Sequence, residues 1–249
     1  ARRIGKSTIA EEFGRNEYKS YILIDFNMAS EVVRNAFRDY LNDLDTFFMI
    51  ISSEYGVKLH RRESLIIFDE IQKFPKAREA VKYLVADGRY DYIETGSLIS
   101  IRENVEGITI PSEERPINMY PLDFEEFAWA MGEEQMIDYI RKCFSDRKPM
   151  EQSLHAKAML LFRQYMIVGG MPQSLSAYIG NDRDFAKADM EKRDILTLYR
   201  KDIMRIESGY RTSVMAIYDQ IPAFLSKSER RIVMSKIEKG ATFPKYHDT

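Results

Sequence analysis

The sequence predicts an α/β fold built on a parallel sheet, followed by a helical half. Three observations lead there. Short, continuous apolar runs recur at Tyr21–Phe26, Leu65–Phe68 and Tyr92–Thr95, each closed by polar residues, as in strands buried on both faces. Helical patterns separate these runs, giving the strand–helix–strand rhythm of right-handed crossovers. Beyond Pro121 the β-type runs cease and 3.6-residue periodicity takes over.

In chain order, Gly5-Lys6-Ser7 opens a helix through Phe13, with Ile9 and Phe13 four apart on one face and Gly14 as its stop. Tyr21 to Phe26 is the first strand. An amphipathic helical region from Ser30 to Gly56 carries Val33, Phe37, Leu41 and Leu44 at three- and four-residue spacing. Leu65 to Phe68 is the second strand, ending at Asp69-Glu70, and Ala77 to Val85 is a helix closed at Asp87-Gly88. Tyr92 to Thr95 is the third strand, ending at Gly96-Ser97. In the helical half, Phe124–Met131, Met136–Phe144, Leu154–Val168, Ala186–Arg205, Thr212–Gln220 and Ser228–Lys239 read as helices, and Ile195, Leu198 and Tyr199 share one side of the longest, Ala186–Arg205.

The 249 residues suffice for one large domain or two small ones, and 45% hydrophobic content supplies a core. A net charge of −2 argues against a nucleic-acid footprint over the whole chain. The balance is uneven: residues 183–249 hold 14 Lys or Arg against 10 Asp or Glu, and residues 1–182 hold 23 against 29. Cys143 is the single cysteine, which excludes an internal disulfide and points to a reducing, cytoplasmic setting. No apolar run reaches the roughly 18–20 residues a membrane span needs.

The candidate chemistry begins at Ala1-Arg2-Arg3-Ile4-Gly5-Lys6-Ser7-Thr8, which supplies all but the first glycine of a phosphate-binding loop, G-x-x-x-x-G-K-[ST]. In such a loop, backbone N–H groups at a helix N-terminus cradle phosphate, here over Gly5 to Thr8. The Lys6 ammonium reaches the outer phosphate oxygens and the Ser7 hydroxyl coordinates Mg²⁺. Asp69 would hold that Mg²⁺ through its water shell, and Glu70 would polarise the attacking water for in-line displacement. An acidic turn after a strand is the plainer reading of the same pair. Thr95 and Ser97 could offer a hydroxyl to the γ-phosphate or the water, although Thr-Gly-Ser is also an ordinary turn.

His60, His155 and His247 lack zinc-type spacing. Lys227, Arg230, Arg231, Lys236 and Lys239 could face DNA phosphates, or simply form a solvated face interleaved with Glu229 and Glu238.

Five stretches in order carry a family resemblance. They are Ala1 to Ser7, Leu65-Ile66-Ile67-Phe68-Asp69-Glu70-Ile71-Gln72, Glu94-Thr95-Gly96-Ser97, Tyr120 to Phe127, and Tyr165 to Pro172. The chain resembles the AAA-superfamily ATPases of bacteria and archaea that pair a P-loop ATPase with a C-terminal nuclease-like domain. The resemblance implies a P-loop NTPase core of the AAA type at 1–130, a helical lid at 131–205 and the start of a winged-helix segment at 206–249. It places Gly5, Lys6 and Ser7 in Walker A, Asp69 and Glu70 in Walker B, and Ser97 or Thr95 at a sensor position. ATP and Mg²⁺ are the implied cofactors. Lys6, Glu70 and Ser97 are the expected catalytic residues, with Ser7 and Asp69 as metal ligands and Gly5, Lys6, Ser7 and Thr8 on the nucleotide.

Against this family pattern the sequence reads as a fragment whose first strand and first loop glycine precede Ala1, and which ends before the nuclease-like domain. A homo-oligomer with an arginine finger such as Arg102 or Arg115 fits the family, as does DNA at the C-terminal segment. The alternative function is a DNA-binding or protein-interaction module with a structural or degenerate nucleotide site.

Overall fold

Asp69 and Asp25 stand side by side at the carboxyl ends of two parallel strands, and the first structural unit is arranged around that end. The structure, a computed structural model, describes residues 2–96, 114–205 and 208–227. The chain divides into two units, Ala1–Asp123 and Phe124–Thr249.

In the first unit, strands β1 (Ser20–Asp25), β2 (Ser64–Asp69) and β3 (Asp91–Glu94) form a parallel sheet in that order. Ser20 pairs with Ser64 and Asp25 with Asp69, while Phe68 lies opposite Glu94. β2 is central and all six of its residues are buried. That explains its unbroken apolar sequence: water reaches neither face, so polar alternation has no use there.

Around the sheet run α1 (Lys6–Glu17), α2 (Glu31–Asp39), α3 (Leu44–Tyr55) and α4 (Pro75–Asp87). One sheet face presents Ile22, Ile24, Ile66 and Phe68 to Val33, Phe37, Phe47, Ile51, Ala77, Ala80 and Leu84. Phenylalanines concentrate at its centre. Phe26 meets Phe37 edge-on at 5.7 Å and stacks on Phe74 at 5.6 Å, and Phe37 meets Phe47 at 5.0 Å. Such pairs add about 0.5–1.5 kcal/mol each beyond area burial. The other face sets Leu65 and Ile67 against Ala10 of α1.

Two expectations change here. α1 does not stop at Gly14 but continues to Glu17, and Gly14 instead faces the sheet. A Cβ at Gly14 would lie 3.0 Å from Tyr21 Cβ and 3.2 Å from Leu65 Cδ2, so glycine permits the close approach of helix to strand. Ile9 and Phe13, the apolar pair read from the sequence, are exposed at 59% and 46%. The expected helical region from Ser30 to Gly56 is two helices. Asp43 ends the continuity by capping α3: its carboxylate accepts from Thr46 N–H (3.2 Å) and Thr46 Oγ1–H (2.6 Å).

The described part of the second unit is helical: α5 (Phe124–Ala130), α6 (Glu134–Asp146), α7 (Gln152–Val168), α8 (Pro172–Gly180), α9 (Phe185–Ile203) and α10 (Ser208–Leu225). Its interior includes Phe127, Ile137, Leu161, Val168, Leu175, Tyr178 and Ile195. α8 lies beyond the sequence expectation, with Pro172 at its first turn, where a missing N–H costs nothing. Buried Ser174 donates its hydroxyl to the Val168 carbonyl (2.8 Å), with the Ala188 carbonyl a second acceptor at 3.2 Å, tying α7, α8 and α9 together. Lys192 Nζ donates to the Ile167 carbonyl (2.6 Å), a cation at the C-terminal end of α7. Among the described residues, no helix is long and apolar enough to cross a membrane. Of the segment expected to begin a winged helix, the described part is α10 and the turn after it. Ser228–Lys239 lies outside the described residues.

Candidate functional site

The N-terminus of α1 meets the carboxyl end of β2. Gly5 precedes the helix with φ +91° and ψ +15°, a left-handed conformation that favours glycine. Ile4, 1% exposed, anchors the loop from below. The Gly5 carbonyl accepts the helix's first bond from Ile9 N–H at 2.9 Å. The N–H groups of Lys6, Ser7 and Thr8 therefore lie in the first turn of a twelve-residue helix, where no intrahelical acceptor exists for them. Thr8 is exposed, whereas Gly5, Lys6 and Ser7 are partly buried. This is the geometry of an anion cradle.

Facing it, Asp69 is 8% exposed. Its Oδ1 accepts the Ser7 hydroxyl at 2.8 Å, across 62 positions of chain. The same Oδ1 accepts the hydroxyl of buried Thr95. Thr95 is held by its backbone too: its N–H donates to the Phe68 carbonyl (2.8 Å), and its carbonyl accepts from Ile71 N–H (3.2 Å). Side chains alternate along a strand, so Thr95 falls on the α1 face with Asp69 while Glu94 falls on the opposite one. Of the two hydroxyls expected near a phosphate, Thr95 is thus bonded to Asp69, and Ser97 lies outside the described residues.

Glu70 leaves the sheet in a left-handed conformation, φ +52° and ψ +43°, which turns the chain into a short 3-10 turn at Ile71–Lys73. Its carboxylate accepts from Gln72 Nε2. Gln72, 4% exposed, has no role in the sequence reading, although it stands within the quoted motif. Its side-chain oxygen has no hydrogen-bond partner among the described residues.

Glu94 was likewise read only as part of a motif. Burial pushes its carboxyl up to about 7; the Glu114 carboxylate adds to that and the Arg78 guanidinium opposes it. Arg78, 7% exposed, donates from Nη2 to both Glu114 oxygens, at 3.0 and 3.4 Å. The sequence signal for this group was weak, because Arg78 sits on α4 and Glu114 beyond β3.

Among the described residues there is no cluster of three or more His, Cys, Asp or Glu able to hold a metal. A hydroxyl and a carboxylate, Ser7 and Asp69, are the hard oxygen donors brought together. That set suits Mg²⁺, which takes one or two protein ligands and completes its shell with phosphate and water. Arg115 lies within the described residues, and Arg102, Arg230, Arg231, Lys236, Lys239 and His247 lie outside them.

Residues 1–128, about half of the chain, match the family model described as an AAA domain. Comparison with curated proteins and with solved structures gives no match.

Proposed function

The chain belongs to the AAA-domain family, and from that premise we propose that it binds ATP and hydrolyses it in a Mg²⁺-dependent reaction. The observation that carries this reading is the hydrogen bond from Ser7 to Asp69, because it joins the two side chains that a nucleotide-bound Mg²⁺ would use. When bound, Mg²⁺ would supply Lewis-acid stabilisation of charge on the β- and γ-oxygens.

Each residue then has one task. Gly5, Lys6, Ser7 and Thr8 supply backbone N–H groups, and the Lys6 ammonium contributes a cation to the same phosphates. Ser7 and Asp69 hold the metal. Glu70 accepts a proton from the attacking water and orients it. Thr95 keeps Asp69 aimed at the loop, and Ser97 is proposed as a further catalytic hydroxyl. Movement of a helical lid (131–205) against the core (1–130), a winged-helix segment from 206, assembly into a homo-oligomer and a cytoplasmic setting complete the proposal. The lone thiol of Cys143 and the run of helices after Phe124 support the setting and the lid.

The rival reading, a DNA-binding or interaction module with a structural or degenerate nucleotide site, rests on basic residues from Lys227 to Lys239. Of these only Lys227 lies within the described residues.

ATP binding and phosphate release by the full-length protein test the proposal. The expected result is turnover that Glu70→Gln abolishes while ATP still binds, and binding that Lys6→Ala removes. A protein that binds no ATP, or whose turnover ignores Glu70→Gln, refutes it.

A further inference from the structure

We infer that Gln72 is a positioning residue for Glu70, held in place at the expense of its own hydrogen bonding. The inference rests on the reading of Glu70 as the group that acts on the attacking water.

Gln72 is 4% exposed, and its Nε2 donates to Glu70 Oε2. A carboxylate only accepts, so the amide must turn its NH₂ towards Glu70 and its oxygen away. That oxygen is buried and finds no donor among the described residues. For the fold alone this is a poor arrangement. An amide that makes one bond and buries an unsatisfied acceptor is less favourable at that place than an apolar side chain of the same length. A buried group left short of partners calls for a reason other than packing.

The backbone supplies one. Glu70 sits at φ +52°, directly after the sheet, in a conformation that is uncommon for a residue with a Cβ. Gln72 lies two residues on, in the 3-10 turn whose backbone is pinned by Lys73 N–H to the Glu70 carbonyl (2.8 Å) and Ile71 N–H to the Thr95 carbonyl (3.2 Å). The amide therefore starts from a fixed base. By occupying Oε2 it restricts rotation of the Glu70 carboxylate and leaves Oε1 to take the proton of the water. A base fixed in this way acts on the rate of the chemical step and not on nucleotide affinity.

The test compares the full-length native protein with Glu70→Gln, Gln72→Met, Gln72→Asn and the double variant of Glu70→Gln with Gln72→Met. Single-turnover ATP hydrolysis, ATP affinity and thermal unfolding are measured for each. Gln72→Met has the length without the amide; Gln72→Asn keeps an amide, one methylene short of Glu70. Both are expected to lower the hydrolysis rate about 10- to 100-fold with ATP affinity held within about twofold. The double variant is expected to be no slower than Glu70→Gln, since Gln72 acts through Glu70. Gln72→Met should melt at the native temperature or above it, where a purely structural glutamine would melt lower.

Native turnover in Gln72→Met, a double variant slower than Glu70→Gln by the full single-variant factor, or rate loss matched by a fall in melting temperature in both Gln72 variants each overturns the inference. A native protein without turnover, or one indifferent to Glu70→Gln, instead refutes the hydrolysis reading on which it stands.

Discussion

Ser7 and Asp69, 62 positions apart, are joined by a 2.8 Å hydrogen bond from hydroxyl to carboxylate. The bond places the first turn of α1 against the end of β2. Ser7→Ala is expected to leave ATP binding without magnesium near native, because the backbone cradle and Lys6 remain. The gain in affinity that magnesium confers should fall at least about tenfold, the loss of one inner ligand. Calorimetric titration with and without Mg²⁺ checks this, and an unchanged magnesium dependence would sink the ligand role of Ser7.

Glu94 provides a pH signature. Burial, with Glu114 adding to it, raises its carboxyl from 4.5 to about 7 in the folded protein. A raised carboxyl binds its proton more tightly folded than unfolded. Its contribution is therefore full below about pH 4.5 and is lost as pH rises through about 7. One such proton changes stability by at most about 1.4 kcal/mol per pH unit. Between pH 5 and 7, Glu94→Gln should lose less stability than the native protein by up to about 2–3 kcal/mol. Urea unfolding at the two pH values measures the difference; parallel losses would show that Glu94 is not the group.

Gly14→Ala sets two effects against each other. Alanine favours the helix by about 1 kcal/mol. The added Cβ would meet Tyr21 Cβ at 3.0 Å, an overpacked contact with a strand residue whose cost is about 1–3 kcal/mol. Since Tyr21 Cβ moves only with β1, overpacking should win and the melting temperature should fall. A more stable Gly14→Ala would mean that α1 can lift from the sheet without penalty.

Ser174→Ala tests the second unit by itself. It leaves the Val168 carbonyl without its hydroxyl donor in a buried setting. Destabilisation of about 1–3 kcal/mol is expected. Chemical unfolding followed by helical circular dichroism reads it, and a loss below about 0.5 kcal/mol would show that water replaces the hydroxyl.

The strands were legible because β2 is buried on both faces and so wears its apolar run openly. Asp69 and Glu70 were legible because they interrupt it. Gly14 was misread because glycine serves both helix ends and close packing, and only the position of Tyr21 separates the two uses. The break between α2 and α3 was masked by an apolar spacing that continues through Leu41 and Leu44, although Asp43 and Thr46 carried the capping signal. Helix α8 was not legible because its opening residue, Pro172, follows closely on Gly169 and Gly170, which part it from α7 by only three residues. The contacts of Gln72 with Glu70 and of Thr95 with Asp69 depend on backbone turns at Glu70 and at the end of β3, which no local pattern encodes.

Oδ1 of Asp69 accepts two hydroxyls, from Ser7 and from Thr95. Besides these it has little room for a further partner. A cation that bonded this atom directly would therefore enter by exchange and not by simple addition, displacing one of the two hydroxyls. One of the candidates for eviction belongs to α1 and the other to the end of β3. A single oxygen thus ties two separate segments of the chain, the first turn of α1 and the end of β3, to one carboxylate at the end of the central strand.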